Sequence, residues 1–191
     1  MDKRSLRKEL KKKRAAFSED YVQSVSKKIF DRIEAMPEYQ NSDTIMIYVS
    51  YDKEIHTHDF IVKMLEQGKN VVTPICNNEN NTLTLGVTKT FPHSFKVNSF
   101  GILELDRERA ETTVVDEIDM VITPGLAFTA DGKRLGYGAG FYDRLLAGKK
   151  DTTPTVCPVY EEFILDDIPV DPHDRNVDYL VTDQGVYKTK Q

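Results

Sequence analysis

Four short runs of β-branched and apolar residues constrain this chain most: residues 44–50, 71–75, 117–123 and 155–159. Their apolar character is nearly continuous, the pattern of strands buried on both faces. Segments with helical spacing precede and separate them. Leu6 and Leu10 sit four apart in a run free of Gly and Pro over residues 3–16. A second helix is predicted from Ser18, a good N-cap, to Met36, where Pro37 stops it; Val22, Val25, Ile29 and Ile33 keep the helical step. Thr57 can cap a helix through Ile61, Met64 and Leu65 that ends at Gly68, and residues 141–146 open a short helix that Gly148 terminates. Residues 82–87 read as a further strand, and residues 179–188 as a hairpin around Asp183-Gln184-Gly185. Thr73-Pro74 and Thr123-Pro124 each end a strand abruptly and begin a loop.

Buried strands alternating with helices predict an α/β fold of three layers, a mainly parallel sheet with helices on both faces. The expectation is one domain over residues 1–191, with no repeat and no interdomain linker. Ligands of such sheets bind beyond the carboxyl ends of the strands.

Composition narrows the function. Hydrophobic residues make up 39% and charged residues 30%, too apolar for wholesale disorder. No apolar run approaches the roughly 18 residues of a membrane span. The basic N-terminus has no apolar segment behind it, so no secretory signal is read there and a cytoplasmic location is expected. Cys76 and Cys157 form no metal-ligand spacing and are expected as free thiols. His56 and His58 lie two apart with no third ligand in sight. Charge is uneven: residues 1–16 hold eight Lys or Arg and two acids, a local +6, so the net −5 leaves −11 on the rest. An acidic protein with one basic end is poorly suited to coating nucleic acid, and better suited to holding one small polyanion. Lys3, Arg7, Lys11 and Arg14 follow steps of four, four and three and share one helix face.

The densest chemical signal is Lys133-Arg134-Leu135-Gly136-Tyr137-Gly138-Ala139-Gly140-Phe141-Tyr142-Asp143-Arg144. Alternating glycines let a backbone approach a ligand closely, and the amides at a helix start face an anion. Arg134 and Arg144 flank the loop with positive charge, and Asp143 offers hard oxygens for Mg²⁺. The segment matches neither a P-loop nor a dinucleotide fingerprint.

Residues 136–144 resemble the signature of the 5-formyltetrahydrofolate cyclo-ligase family, also called 5,10-methenyltetrahydrofolate synthetases. Three further parts resemble that family in the same order. They are Lys3-Arg4-Ser5-Leu6-Arg7, Tyr48-Val49-Ser50-Tyr51-Asp52-Lys53-Glu54-Ile55, and the acidic segment 168–178 containing Asp171, Asp174 and Asp178. Ala139 departs from the pattern, at a position often held by glycine or a larger residue.

The resemblance implies an ATP-dependent enzyme that cyclises 5-formyltetrahydrofolate to 5,10-methenyltetrahydrofolate, releasing ADP and phosphate through a phosphorylated formyl oxygen. It implies ATP contacts from Lys3, Arg4, Ser5, Leu6 and Arg7, and from residues 134–142. Folate would be held by Val49, Glu54 and residues 137–141. Arg134, Tyr142 and Arg144 would act in catalysis, and Asp143 and Asp174 would hold Mg²⁺. Small-molecule substrates are thus the expected partners, with no nucleic acid and no membrane. A sugar-phosphate isomerase or other phosphosugar binder is the alternative the glycine loop leaves open, and a nucleic-acid-binding arm is the alternative for the basic helix.

Overall fold

The computed structural model describes residues 1–190, so Gln191 of the expected 1–191 domain lies outside the described residues. The chain opens with α1 (Lys3–Ala15), capped by the Asp2 side chain, and α2 (Glu19–Ala35), capped by Ser18. Pro37 does stop α2, and it then occupies the first turn of a four-residue helix, α3 (Pro37–Gln40), where its missing N–H costs nothing. β1 (Thr44–Ile47) follows, shorter than the predicted 44–50 run. α4 (His58–Glu66) leads to β2 (Asn70–Asn77) and β3 (Thr82–Thr88). Thr57 stands at the N-cap of α4 without capping it by its side chain; its Oγ1 accepts from the Ser50 amide instead.

Next comes a hairpin of β4 (Phe95–Val97) and β5 (Leu103–Leu105), then β6 (Thr112–Thr113) and β7 (Met120–Ile122). β8 (Ala127–Thr129) and β9 (Arg134–Leu135) precede α5 (Phe141–Gly148) and β10 (Thr155–Pro158). The chain finishes with β11 (Ile164–Leu165), β12 (Tyr179–Val181) and β13 (Val186–Lys188).

Eight strands form the main sheet in the order β13-β12-β10-β7-β1-β2-β3-β6. The five from β12 to β2 are parallel, and β13, β3 and β6 add antiparallel edges. The β12–β13 hairpin is the one expected around Asp183-Gln184-Gly185. Period-two alternation splits the strands between two cores. Ile45, Ile47, Val71, Met120 and Ile122 pack with α2 and α4, whereas Met46, Val72 and Val121 pack with Leu146 of α5. Both faces are therefore covered, as the continuous apolar runs demanded.

One strand end is corrected. β2 does not stop at Thr73-Pro74 but runs on to Asn77, with Pro74 opposite Leu85 of β3. Pairing with β1 reaches only Val72, so beyond it one flank of β2 is open and a residue lacking an N–H is tolerated there.

Between β1 and β7 the chain reverses its direction of travel across the sheet, since β2 lies on one side of β1 and β7 on the other. The carboxyl ends of these strands open a crevice, the place where parallel sheets bind ligands.

Candidate active site

A cleft of ≈ 700 Å³ occupies that crevice. Tyr48 and Val49 enter it from the end of β1, Pro124 from the end of β7, and Pro74 and Cys76 from β2. Residues 134–143 form one wall, and Lys3, Arg7, Lys11 and Arg14 form another. The basic stripe is thus a cleft wall, with Lys12 and Lys13 exposed on the rest of α1.

Each member of the stripe except Lys11 hydrogen-bonds a different part of the site. Lys3 Nζ bridges Asp171 and Asp174. Arg7 Nε donates to the Gly136 carbonyl at 2.7 Å, and Arg14 Nη1 donates to the Tyr137 hydroxyl at 2.6 Å. Burial works against the Lys3 charge, but the two aspartates outweigh it and raise its pKa. One helix therefore fastens the glycine loop to the late acidic segment.

The loop itself depends on its glycines. Gly138 has φ +118 and Gly140 φ +73, backbone that side chains rarely adopt, and a Cβ on Gly140 would meet Arg144 Nη1 at 2.8 Å. Gly140 stands at the N-cap of α5, which no side chain caps. The amides of that first turn thus lie in the cleft wall without intrahelical partners, as an anion requires.

Asp143 accepts from Arg134 Nη2 at 2.7 Å and from the Arg175 amide at 3.2 Å, both through Oδ1. The second contact brings it to the segment that carries Asp174. Asp171, His173 and Asp174 present ligand atoms within 4.8 Å of one another. Hard carboxylate oxygens beside the glycine loop are the ligand type that suits Mg²⁺, and in this structure the Lys3 ammonium pairs with Asp171 and Asp174. Asp178 stands apart, its Oδ2 accepting from the Thr155 amide at 2.8 Å.

Glu54 lies at the other end of the cleft. Its loop is braced by reciprocal Ser50–Thr57 hydrogen bonds and by Tyr160, whose hydroxyl donates to the Lys53 carbonyl. The Tyr51 amide donates to Glu54 Oε2 at 2.8 Å. Burial raises the Glu54 pKa, and Tyr137, Arg14 and the Tyr51 amide offset only part of that rise. Burial likewise pushes the Cys76 thiol up to about 11, with Glu104 adding to it, so Cys76 is no ready nucleophile.

The structure brings together Lys3, Arg7, Val49, Glu54, residues 134–143 and Asp174. It leaves Arg4, Ser5, Leu6 and Arg144 outside the cleft lining. Ser5 bonds the Asp2 cap, Leu6 packs on the core, Arg4 is exposed, and Arg144 donates to the Ala139 and Asn81 carbonyls. Sequence reasoning missed the β4–β5 hairpin, which lends Phe100, Ile102, Leu103 and Glu104 to the cleft. Asn98 and Gly101, turn residues between short apolar stretches, were its available signal.

A model of the 5-formyltetrahydrofolate cyclo-ligase family matches residues 1–183. The chain belongs to that family. It is 32% identical over 190 residues to the mouse 5-formyltetrahydrofolate cyclo-ligase, covering 94% of this chain and 92% of the relative. The Escherichia coli K12 cyclo-ligase is 27% identical over 183 residues, covering 94% and 99%. The structure of the Aquifex aeolicus 5,10-methenyltetrahydrofolate synthetase superposes with a TM-score of 0.86 at 30% identity, covering 100% of this chain and 94% of that one. The match places the site within a cyclo-ligase enzyme and leaves the phosphosugar alternative without support. No helix among the described residues is long and apolar enough to cross a membrane.

Proposed function

We propose that this chain, as one cytoplasmic domain, converts 5-formyltetrahydrofolate and ATP into 5,10-methenyltetrahydrofolate, ADP and phosphate. The observation that carries this reading is the convergence of a basic helix face, a glycine loop and the Glu54 carboxylate in one cleft. Two chemically distinct ends fit two substrates: cations and free amides for a triphosphate, and a half-buried acceptor for the N–H groups of a pterin.

A formamide oxygen is a poor leaving group, and phosphorylation makes it a good one. The formyl oxygen attacks the γ-phosphorus of ATP, the bond to the β-phosphate oxygen breaks, and ADP departs. Folate N10 then attacks the activated formyl carbon, loses its proton, and phosphate leaves as the ring closes. Such chemistry needs positioning and charge neutralisation more than a protein nucleophile. Lys3 and Arg7 hold the nucleotide, while residues 134–142 wrap its phosphates and meet the folate across residues 137–141. Asp143 and Asp174 would hold Mg²⁺, which supplies neutralisation of phosphoryl charge. Arg134 orients Asp143, Tyr142 shapes the wall beside it, and Arg144 fixes the Ala139 carbonyl; Val49 and Glu54 seat the folate.

ADP release measured alongside folate consumption tests the reading. One ADP per folate consumed is expected, and folate consumption without ADP would contradict it.

A further inference from the structure

Arg14 has a relationship to the cleft that sets it apart from Lys3 and Arg7. It lies 11 residues beyond Lys3, close to three helical turns, so the two share a face but stand about 16 Å apart along the helix axis. Lys3 meets Asp171 and Asp174, whereas Arg14 reaches the end of the cleft where Glu54 lies. Arg14 is only 7% exposed, and a buried guanidinium requires a counter-charge. Its side chain donates to the Tyr137 hydroxyl at 2.6 Å, and the guanidinium carbon lies 5.5 Å from the centroid of the same ring. The Tyr137 hydroxyl, having accepted from Arg14, keeps its own proton to donate, and Glu54 lines the same small pocket as Arg14 and Tyr137. Arg14, Tyr48, Glu54, Tyr137 and Tyr160 also line a small open pocket of ≈ 10 Å³.

We propose that Arg14 is a positioning residue of the folate subsite: through the Tyr137 hydroxyl it aims the Glu54 carboxylate into the cleft. The proposal rests on the reading of Glu54 as the folate acceptor. A carboxylate pulled from water needs both a donor and a nearby positive charge to remain a good acceptor, and the phenol transmits both. Asp52 adds a like charge that raises the Glu54 pKa, and the Arg14 charge works the other way. This chain thereby links its N-terminal helix to two substrates, with the first turn at the nucleotide end and the last turn at the folate end.

Steady-state kinetics of Arg14→Ala, Tyr137→Phe, the double variant and Arg14→Lys, varying each substrate in turn, tests the proposal. Arg14→Ala is expected to raise the folate KM about tenfold, the loss of one charge-assisted contact, with the ATP KM unchanged. Tyr137→Phe should do the same, and the double variant should be no worse than either, because both break one chain of contacts. Arg14→Lys should recover part of the loss; if Arg14→Ala does not fold, Arg14→Lys and Tyr137→Phe carry the comparison. A raised ATP KM, or additive losses in the double variant, would overturn the proposal. Glu54→Gln serves as the control: an unchanged folate KM there contradicts the reading of Glu54 itself, whatever Arg14 does.

Discussion

The Arg134 guanidinium lies 2.7 Å from Asp143 Oδ1, with only 3% and 13% of the two side chains open to solvent. The pair spans the glycine loop, joining β9 before it to α5 after it. Arg134 Nη1 also donates to the Pro124 carbonyl, and its Nε has no partner among the described residues. Removing one member of such a pair leaves the other charge uncompensated. Arg134→Met should therefore lower the unfolding free energy by about 3 kcal/mol, and Arg134→Met/Asp143→Leu by less, since no orphan charge remains. Urea unfolding of the two variants checks this; equal losses would show that the pair is not coupled.

Asp143 and Asp174 line the cleft, while Asp178 lies outside its lining and accepts from the Thr155 amide. Asp143→Ala and Asp174→Ala should each raise the Mg²⁺ concentration needed for half-maximal rate. Asp178→Ala should instead lower stability by about 1 kcal/mol, the worth of a hydrogen bond, with little change in metal dependence. Rate titrations with Mg²⁺ and thermal melts of the three variants separate these effects.

The Glu54 carboxyl, raised by burial, sets a pH dependence of stability with a definite sign. Its native form binds the proton more tightly than the unfolded chain does. Its contribution therefore favours folding below the ordinary carboxylate value of about 4.3 and is lost as pH rises through the raised value. Glu54→Gln removes that loss, so its stability should fall less steeply than wild type between the two values. Denaturant unfolding across this acid range checks the slope, and parallel profiles would contradict it. The same variant should weaken folate use much more than ATP binding.

Lys3 and Arg7 line the cleft, and Lys12 and Lys13 are exposed residues outside its lining. Calorimetry of ATP binding to Lys3→Ala/Arg7→Ala and Lys12→Ala/Lys13→Ala compares equal losses of charge. One lost charge-assisted contact costs roughly 1.5–3 kcal/mol, about 10- to 150-fold, so the first pair should weaken binding by at least that factor. The second should leave it nearly unchanged. Equal weakening would make α1 a diffuse positive field.

What could be read in advance follows from what burial imprints on a sequence. β1, β7 and β10 were legible because both their faces are covered, so every residue in them is apolar or β-branched. The stripe from Lys3 to Arg14 was legible because helical periodicity fixes a face without knowledge of its neighbour. The β4–β5 hairpin was not, because its strands are three residues long and Lys96 and Val97 are exposed. Pro74 was misread because proline ends a strand only where its flank is paired, and pairing is not local information. The Arg134–Asp143 and Arg14–Tyr137 contacts join segments whose proximity only the tertiary fold creates. Arg14 consequently read as one more member of a stripe, although its partner sets it apart.

The central claim is that phosphorylation by ATP drives the ring closure in this cleft. The most direct test follows the near-ultraviolet absorbance of the methenyl product from 5-formyltetrahydrofolate, with and without ATP and Mg²⁺. The account predicts product only when ATP and the divalent cation are both present. Equal turnover without ATP would contradict the phosphorylated intermediate, and no turnover under any combination would contradict the function.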